Sequence, residues 1–169
     1  MPSDLDEGAA AKFHLKLDSE TVAEVISADP VCVSEQATLR EVLSLLRRLG
    51  RGCALVCQEQ KLVGIFTERD ALRLLALLGA GNVQLLDQPI RSLMVPNPVT
   101  IRKDATVAEA IRRMSQGGYR RLPVVDGNGT PVGVMKVSGI LHYFAEHFPK
   151  YVYTLPPEPH YAPRERDGA

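Results

Sequence analysis

Asp29-Pro30-Val31 and Asn97-Pro98-Val99 open two stretches of chain that can be laid over one another with one single-residue gap. Pro30 falls on Pro98, Val33 on Ile101, Ala37-Thr38-Leu39 on Ala105-Thr106-Val107 and Leu43 on Ile111. After one extra residue in the second stretch, Val63-Gly64-Ile65 falls on Val132-Gly133-Val134. The offset is about 68 residues, and a fixed period is the first thing that decides a fold. Two copies of one small unit predict a pseudo-two-fold axis, with equivalent surfaces of both copies around a shared cleft.

Each copy reads in the same order. In the first, Thr21 to Ile26 suits a helical turn and Pro30 to Val33 a short strand. Thr38-Leu39-Arg40-Glu41 has the form of a capping box, in which hydroxyl and carboxylate satisfy orphan amides reciprocally. Leu39, Val42, Leu43, Leu46 and Leu49 follow at helical spacing, and Gly50 and Gly52 end that helix. Strands are expected at Cys53 to Cys57 and Leu62 to Phe66, then a helix over Thr67 to Leu78. In the second copy the matching elements are a lead-in turn at Ile90 to Met94, a strand at Val99 to Ile101, and a capping box at Thr106-Val107-Ala108-Glu109. Strands at Leu122 to Val125 and Pro131 to Met135 flank the turn Asp126-Gly127-Asn128-Gly129, whose residues tolerate positive φ. A last helix covers Val137 to His147. Both copies thus read strand, helix, strand, strand, helix, an α/β (α+β) class of fold. The expected divisions are an N-terminal arm (1–17), a first repeat (18–80), a second repeat (81–148) and a Pro-rich tail (149–169). Tyr151, Val152, Tyr153 and Leu155 in that tail fit either docking on a neighbouring surface or disorder.

With 45% apolar, 24% charged and only 5% aromatic residues, the core must be built from Val, Leu, Ile and Ala. Lys+Arg and Asp+Glu both number 20, so no overall field recruits nucleic acid or an anionic membrane, and neither is expected as a partner. The longest apolar stretch, Ala71 to Ala80, is broken by Arg73 and is too short to cross a bilayer. No secretory signal pattern precedes the first repeat, so a cytoplasmic location is expected. Cys32, Cys53 and Cys57 form no C-x-x-C pair and read as small buried residues. His142 and His147 are five apart, on different faces of a helix, so no metal site is expected. No Walker A loop, dinucleotide-binding glycine turn, nucleophile elbow or nucleophile–base pair appears, and the chain is expected not to be an enzyme.

The sharpest candidate site is Gly64-Ile65-Phe66-Thr67-Glu68-Arg69-Asp70, where a strand runs into a helix N-terminus. Unpaired amides and the positive end of the helix dipole there suit an anion such as phosphate. The Thr67 hydroxyl can donate to a phosphate oxygen, and Asp70, one turn on, can accept both hydroxyls of a ribose. Thr67-x-x-Asp70 is equally a structural N-cap with an acidic first turn.

The repeat, its Asp/Asn-Pro-Val openings, the heptad above and Arg120-Arg121-Leu122-Pro123-Val124-Val125-Asp126 together resemble a cystathionine-β-synthase (CBS) domain pair, over about Ser19 to His147. The resemblance implies a Bateman module: two CBS motifs packed with pseudo-two-fold symmetry, leaving two clefts for adenine-containing ligands. It maps phosphate and ribose contacts onto Thr67 and Asp70. It maps the adenine contact, taken from the same copy, onto Ile26, Ala28 and Val31, and further phosphate contacts onto Arg120 and Arg121. Arginine suits that task because its planar fork binds phosphate bidentately.

The second copy departs from this pattern. Its heptad is Gly133-Val134-Met135-Lys136-Val137-Ser138-Gly139, with Lys136 where the hydroxyl belongs and Gly139 where the carboxylate belongs. Lys136 is thus a candidate secondary phosphate contact, and one good site per chain is expected. The expected function is a regulatory, non-enzymatic sensor of an adenine nucleotide of the AMP, ADP or ATP class, with NAD and S-adenosylmethionine as further candidates and no obligatory cofactor. It would signal to a regulated partner protein, unnamed by the sequence, through a conformational change. The alternative is a scaffold with a degenerate, empty cleft. Apolar residues at Leu72, Leu75, Leu78, Leu141, Phe144 and Phe148 point, with the resemblance, to a homodimer.

Overall fold

The computed structural model describes residues 16–26 and 29–149; the expectations for most of the arm, for Ala28 and for the Pro-rich tail lie outside the described residues. The first repeat comprises α1 (Val22–Val25), β1 (Cys32–Ser34), α2 (Leu39–Leu49), β2 (Cys53–Gln58), β3 (Lys61–Thr67) and α3 (Glu68–Gly79). Two 3-10 turns, Val83–Asp87 and Ile90–Ser92, lead to β4 (Val95–Pro96), β5 (Ile101–Arg102), α4 (Val107–Gly117), β6 (Arg121–Val125), β7 (Pro131–Lys136) and α5 (Val137–His147). One sheet has the order β1-β2-β3-β4 and the other β5-β6-β7. In each, the first strand lies parallel to the second and the second antiparallel to the third.

The helix boundaries follow from their caps. Thr38 accepts from the Glu41 amide at 3.3 Å, while the Glu41 carboxylate accepts from the Thr38 amide at 2.7 Å, so α2 starts on a complete box. The second box forms only in half. Thr106 Oγ1 accepts from the Glu109 amide at 3.1 Å, but the Glu109 carboxylate turns to Arg113 at 2.5 Å, because an arginine one turn on offers a full charge. Both helices end on a glycine in the left-handed region, Gly50 (φ 61°) and Gly118 (φ 65°), where a Cβ would be strained.

Among the described residues each repeat has its own main core, and the lead-in segments are exchanged between the two. Leu17, Val22, Val25 and Ile26 pack with Ile101, Val107, Leu122 and Met135 of the second repeat. Ile90, Leu93 and Met94 pack with Leu39, Val42, Val56 and Phe66 of the first. The backbone repeats the exchange bond for bond. The Val22 amide donates to Ala105 at 2.8 Å and the Val107 amide to Glu20 at 2.9 Å; 68 residues later, Ile90 donates to Ala37 at 2.7 Å and, in the matching pair, Leu39 to Gln88 at 3.0 Å. β4 completes the crossing, since Val95 and Pro96 pair with Ile65 and Gly64 of β3. Cys53, Leu55 and Ile65 of the first sheet meet Val134 of the second, so the two sheets face one another.

Two details differ from the sequence reading. Phe144 and Phe148, expected on an open face, pack against the second core, because α5 turns them toward Tyr143. Cys32 is exposed, whereas Cys53 is buried and Cys57 partly so. Leu72, Leu75 and Leu141 remain open to solvent, at 65%, 55% and 62%.

Candidate functional site

β3 delivers Thr67 in extended conformation, and α3 starts at the next residue. Asp70 reaches back from the first turn. Its Oδ2 accepts from the Thr67 amide at 2.9 Å and from the Thr67 hydroxyl at 2.7 Å. At 8% exposure Asp70 is the only buried charged residue among those described. Its Oδ1 lies 3.8 Å from the exposed Arg73 guanidinium. The cap and the candidate ligand group are therefore one and the same: the Thr67 proton is committed to Asp70, and Asp70 keeps acceptor capacity on Oδ1 for an incoming hydroxyl.

The facing wall comes from the other repeat. Gly118 turns the chain out of α4, and Tyr119, Arg120 and Arg121 lead into β6. Arg120 is exposed. Arg121 donates from Nη2 to Glu68 Oε2 at 2.9 Å, and its Nε is buried without a hydrogen-bond partner. Val95, Asn97, Pro98 and Val99 form the third side. Asn97 adopts a positive φ of 47° that asparagine tolerates better than most side chains, and its amide donates to Val63 at 3.0 Å, which ties this side to β3. These walls enclose about 520 Å³, over a floor that includes Ile65 and Pro123. That volume lies within the range of small-molecule sites. Arg69, Arg73, Arg120 and Arg121 stand around the cavity against two carboxylates, Glu68 and Asp70, leaving a positive balance that favours an anion.

The pseudo-equivalent cleft is almost closed. Asp29, Pro30, Val31, Arg51, Gly52, Cys53, Val134 and Lys136 line about 20 Å³. Lys136 occupies the N-cap of α5 without a capping side-chain bond, and Gly139 offers no carboxylate. Burial pushes the Cys53 thiol up from its ordinary range, with Arg121 and Lys136 drawing it partly back. Cys53 thus sits between the cationic groups of both clefts.

The structure brings Thr67, Asp70, Arg120 and Arg121 together around one cavity. It does not bring Ile26 and Val31 to them. Val31 lines the small cleft beside Lys136. Ile26 lies over Gly133 of β7, its Cδ1 2.8 Å from where a Cβ on that glycine would stand. Two physical reasons apply: Ile26 crosses with its lead-in segment to the second core, whereas Val31 stays beside β2 of its own sheet, where its carbonyl accepts from the Leu55 amide at 2.8 Å. The positions beside Thr67 are those 68 residues on, with Met94 packed on Gly64 and Val99 lining the cavity. Asn97, Pro98, Val99 and Tyr119 went unassigned in the sequence reading; their signal was the repeat itself, which lays Asn97-Pro98-Val99 over Asp29-Pro30-Val31. His142 pairs with Glu146 at 3.0 Å, whereas His147 stacks on Tyr143, so the two histidines face different neighbours.

Comparison with known proteins fits this geometry. The family model described as the CBS domain matches twice, at residues 22–77 and 90–146. An uncharacterized protein of Methanopyrus kandleri is 32% identical over 124 residues, covering 73% of this chain and 62% of its own length. An uncharacterized protein of Methanocaldococcus jannaschii is 27% identical, covering 87% of this chain and 45% of its own length, so the chain spans roughly half to three-fifths of these relatives. Among solved structures, a CBS domain protein from Pyrobaculum aerophilum complexed with AMP is 28% identical with a TM-score of 0.64, covering 75% of this chain and 99% of that one. The CBS domain pair of protein MJ0100, in complex with 5-methylthioadenosine and S-adenosyl-L-methionine, is 25% identical with a TM-score of 0.64, covering 74% and 99%. A duplicated sheet-and-helix unit, exchanged lead-in segments and two family matches in tandem lead to one conclusion: the chain belongs to the CBS domain family.

Proposed function

We propose that this chain is a regulatory, non-catalytic sensor that binds one adenine-containing ligand per chain in the Thr67–Asp70 cleft. One observation carries the reading: a buried carboxylate on the first turn of α3 faces two arginines of the opposite repeat across a 520 Å³ cavity. Asp70 Oδ1 accepts a ribose hydroxyl. Arg120 and Arg121 hold the phosphate, with the N-terminus of α3 adding its dipole. Val95, Pro98 and Val99 supply apolar contact for the base. AMP complexed by the Pyrobaculum aerophilum protein and S-adenosyl-L-methionine bound by the pair of MJ0100 support an adenine ligand.

Ligand in this cleft touches both repeats, so it biases their relative arrangement by as much as its affinity differs between arrangements. That bias is the signal passed to a partner protein. Leu72, Leu75 and Leu141, exposed together with Leu77 at 47%, supply the apolar surface through which two chains associate. Calorimetric titration of nucleotide-free protein with adenosine, AMP, ADP, ATP, NAD and S-adenosylmethionine tests the reading. At least one adenine ligand is expected to bind at one per chain; a chain that binds none of them at millimolar concentration overturns it in favour of an empty-cleft scaffold.

A further inference from the structure

Among the described residues, Glu68 is the one acidic side chain that lines the cavity with its charge turned on an arginine of the opposite repeat. The bridge is short, 2.9 Å from Arg121 Nη2 to Glu68 Oε2, and uses only half of the guanidinium's side-on fork. The other half, Nε, is buried and has no partner. A carboxylate that meets a guanidinium through a single oxygen, beside an orphaned Nε–H, leaves an incomplete anion seat. Two parallel N–H donors in one plane match two oxygens of a phosphate.

The pair rests on Gly52. A Cβ there would stand 2.4 Å from Arg121 Nη2 and 2.6 Å from Glu68 Oε2. The Glu68 amide also donates to Gly52 at 3.1 Å, which fixes the first residue of α3 against that point. Gly52 belongs to the small cleft, while Glu68 and Arg121 belong to the large one. The bridge therefore stands in the wall between the two clefts and ties α3 of one repeat to β6 of the other. Its exposure is uneven, 67% for the Glu68 side chain and 24% for Arg121. The glutamate can swing into solvent, and the arginine stays.

We infer that Glu68 is an internal anion that holds the phosphate seat of Arg121 in the ligand-free protein and must be displaced by the anionic part of the ligand. This rests on the adenine-ligand reading for the identity of the ligand, but not for the displacement itself. Two consequences follow from the charges. Glu68 lowers the affinity for phosphorylated ligands while leaving an uncharged nucleoside unaffected, so it sets the selectivity between them. Its release also removes a link between the repeats at the moment of binding, which gives the cleft a two-state element for the ligand to bias.

The test is calorimetry on the full chain and on Glu68→Gln, Arg121→Gln and the double variant, titrated with adenosine, AMP and inorganic pyrophosphate. Glu68→Gln is expected to raise affinity for AMP and pyrophosphate about five-fold and to change adenosine by less than about two-fold. In the Arg121→Gln background the same substitution is expected to gain less than about three-fold, since contacting residues couple. Thermal unfolding checks that each variant is folded, which an exposed Glu→Gln change favours. An AMP affinity that is unchanged or weaker in Glu68→Gln, while the wild type binds AMP, overturns the displacement and leaves the adenine reading standing. So does an equal gain without Arg121. Gain for pyrophosphate with no binding of adenosine or AMP by any of the proteins overturns the adenine reading and keeps the displacement. Failure of all three probes with all four proteins overturns both.

Discussion

Replacing Asp70 by alanine removes two things at once, and the structure supplies a control that separates them. The carboxylate closes the α3 cap through 2.9 and 2.7 Å bonds from Thr67. Losing such a cap costs roughly 1–2 kcal/mol, which for a chain of this size lowers Tm by about 2–8 °C. The same substitution strands a ribose hydroxyl without its acceptor, a cost of roughly 1–3 kcal/mol, or about 5- to 150-fold in affinity for adenosine and AMP alike. Glu41 closes the α2 cap through the same pair of bonds, 2.7 and 2.9 Å from Thr38, but lies outside the cavity. Glu41→Ala is therefore expected to lower Tm without changing ligand affinity. Parallel calorimetry and thermal unfolding of the two variants read the difference. Equal affinities in Asp70→Ala, Glu41→Ala and wild type, or equal losses in both variants, would show that Asp70 is a cap and nothing more.

Glu59 and Gln60, at the tip of the β2–β3 hairpin, both adopt positive φ, 48° and 68°. Changing them to Asn-Gly is expected to stabilise the protein by roughly 1–2 kcal/mol, raising Tm by several degrees; an unchanged or lower Tm would refute that account of the turn. Cys57 is pushed up to about 12 by burial and by the neighbouring Cys32 thiol. A raised thiol contributes stability that is complete below its ordinary value of 9.0 and is lost as pH rises toward 12. Denaturant midpoints between pH 8 and 11 should accordingly fall less steeply in Cys57→Ser than in wild type, and parallel curves would discount the thiol. Exposed Leu72 and Leu75 on α3 and Leu141 on α5 predict a dimer at micromolar concentration by light scattering, reduced to the 18.5 kDa monomer by Leu72→Glu with Leu75→Glu; a wild-type monomer throughout would remove that interface.

The duplication was legible because it is written in residue types with strong positional meaning. Thr at two N-caps, Gly at two left-handed helix ends and short, nearly continuous apolar strands recur about 68 residues apart, and the helices and central strands appear within a residue or two of their expected places. Thr67 and Asp70 were legible as candidates because a strand running into a capped helix has a local signature, whereas Arg120 and Arg121 were reached only through the family resemblance. The crossing of the lead-in segments was not legible. Val22 and Ile90 look alike in any window, and nothing local tells which repeat's core each will fill. Only the hydrogen bonds between Val22 and Ala105 and between Ile90 and Ala37 decide it. The resemblance took the apolar side of the cleft from the same copy, at Ile26, Ala28 and Val31, whereas Val95, Pro98 and Val99 line the cavity. The two-residue strand β4 was also missed, since Val95-Pro96 is too short to show alternation and proline argues against a strand except at an edge, which is where it lies. The Glu68–Arg121 bridge joins residues 53 apart in sequence and depends on the missing side chain of Gly52, a three-body arrangement no sequence window contains.

A crystal structure of the protein grown with saturating AMP tests the central claim most directly. The account predicts one nucleotide per chain, its ribose on Asp70, its phosphate on Arg120 and Arg121 with Glu68 swung away, and the cleft of Lys136 without nucleotide. Nucleotide in the Lys136 cleft, or in both clefts equally, would contradict it.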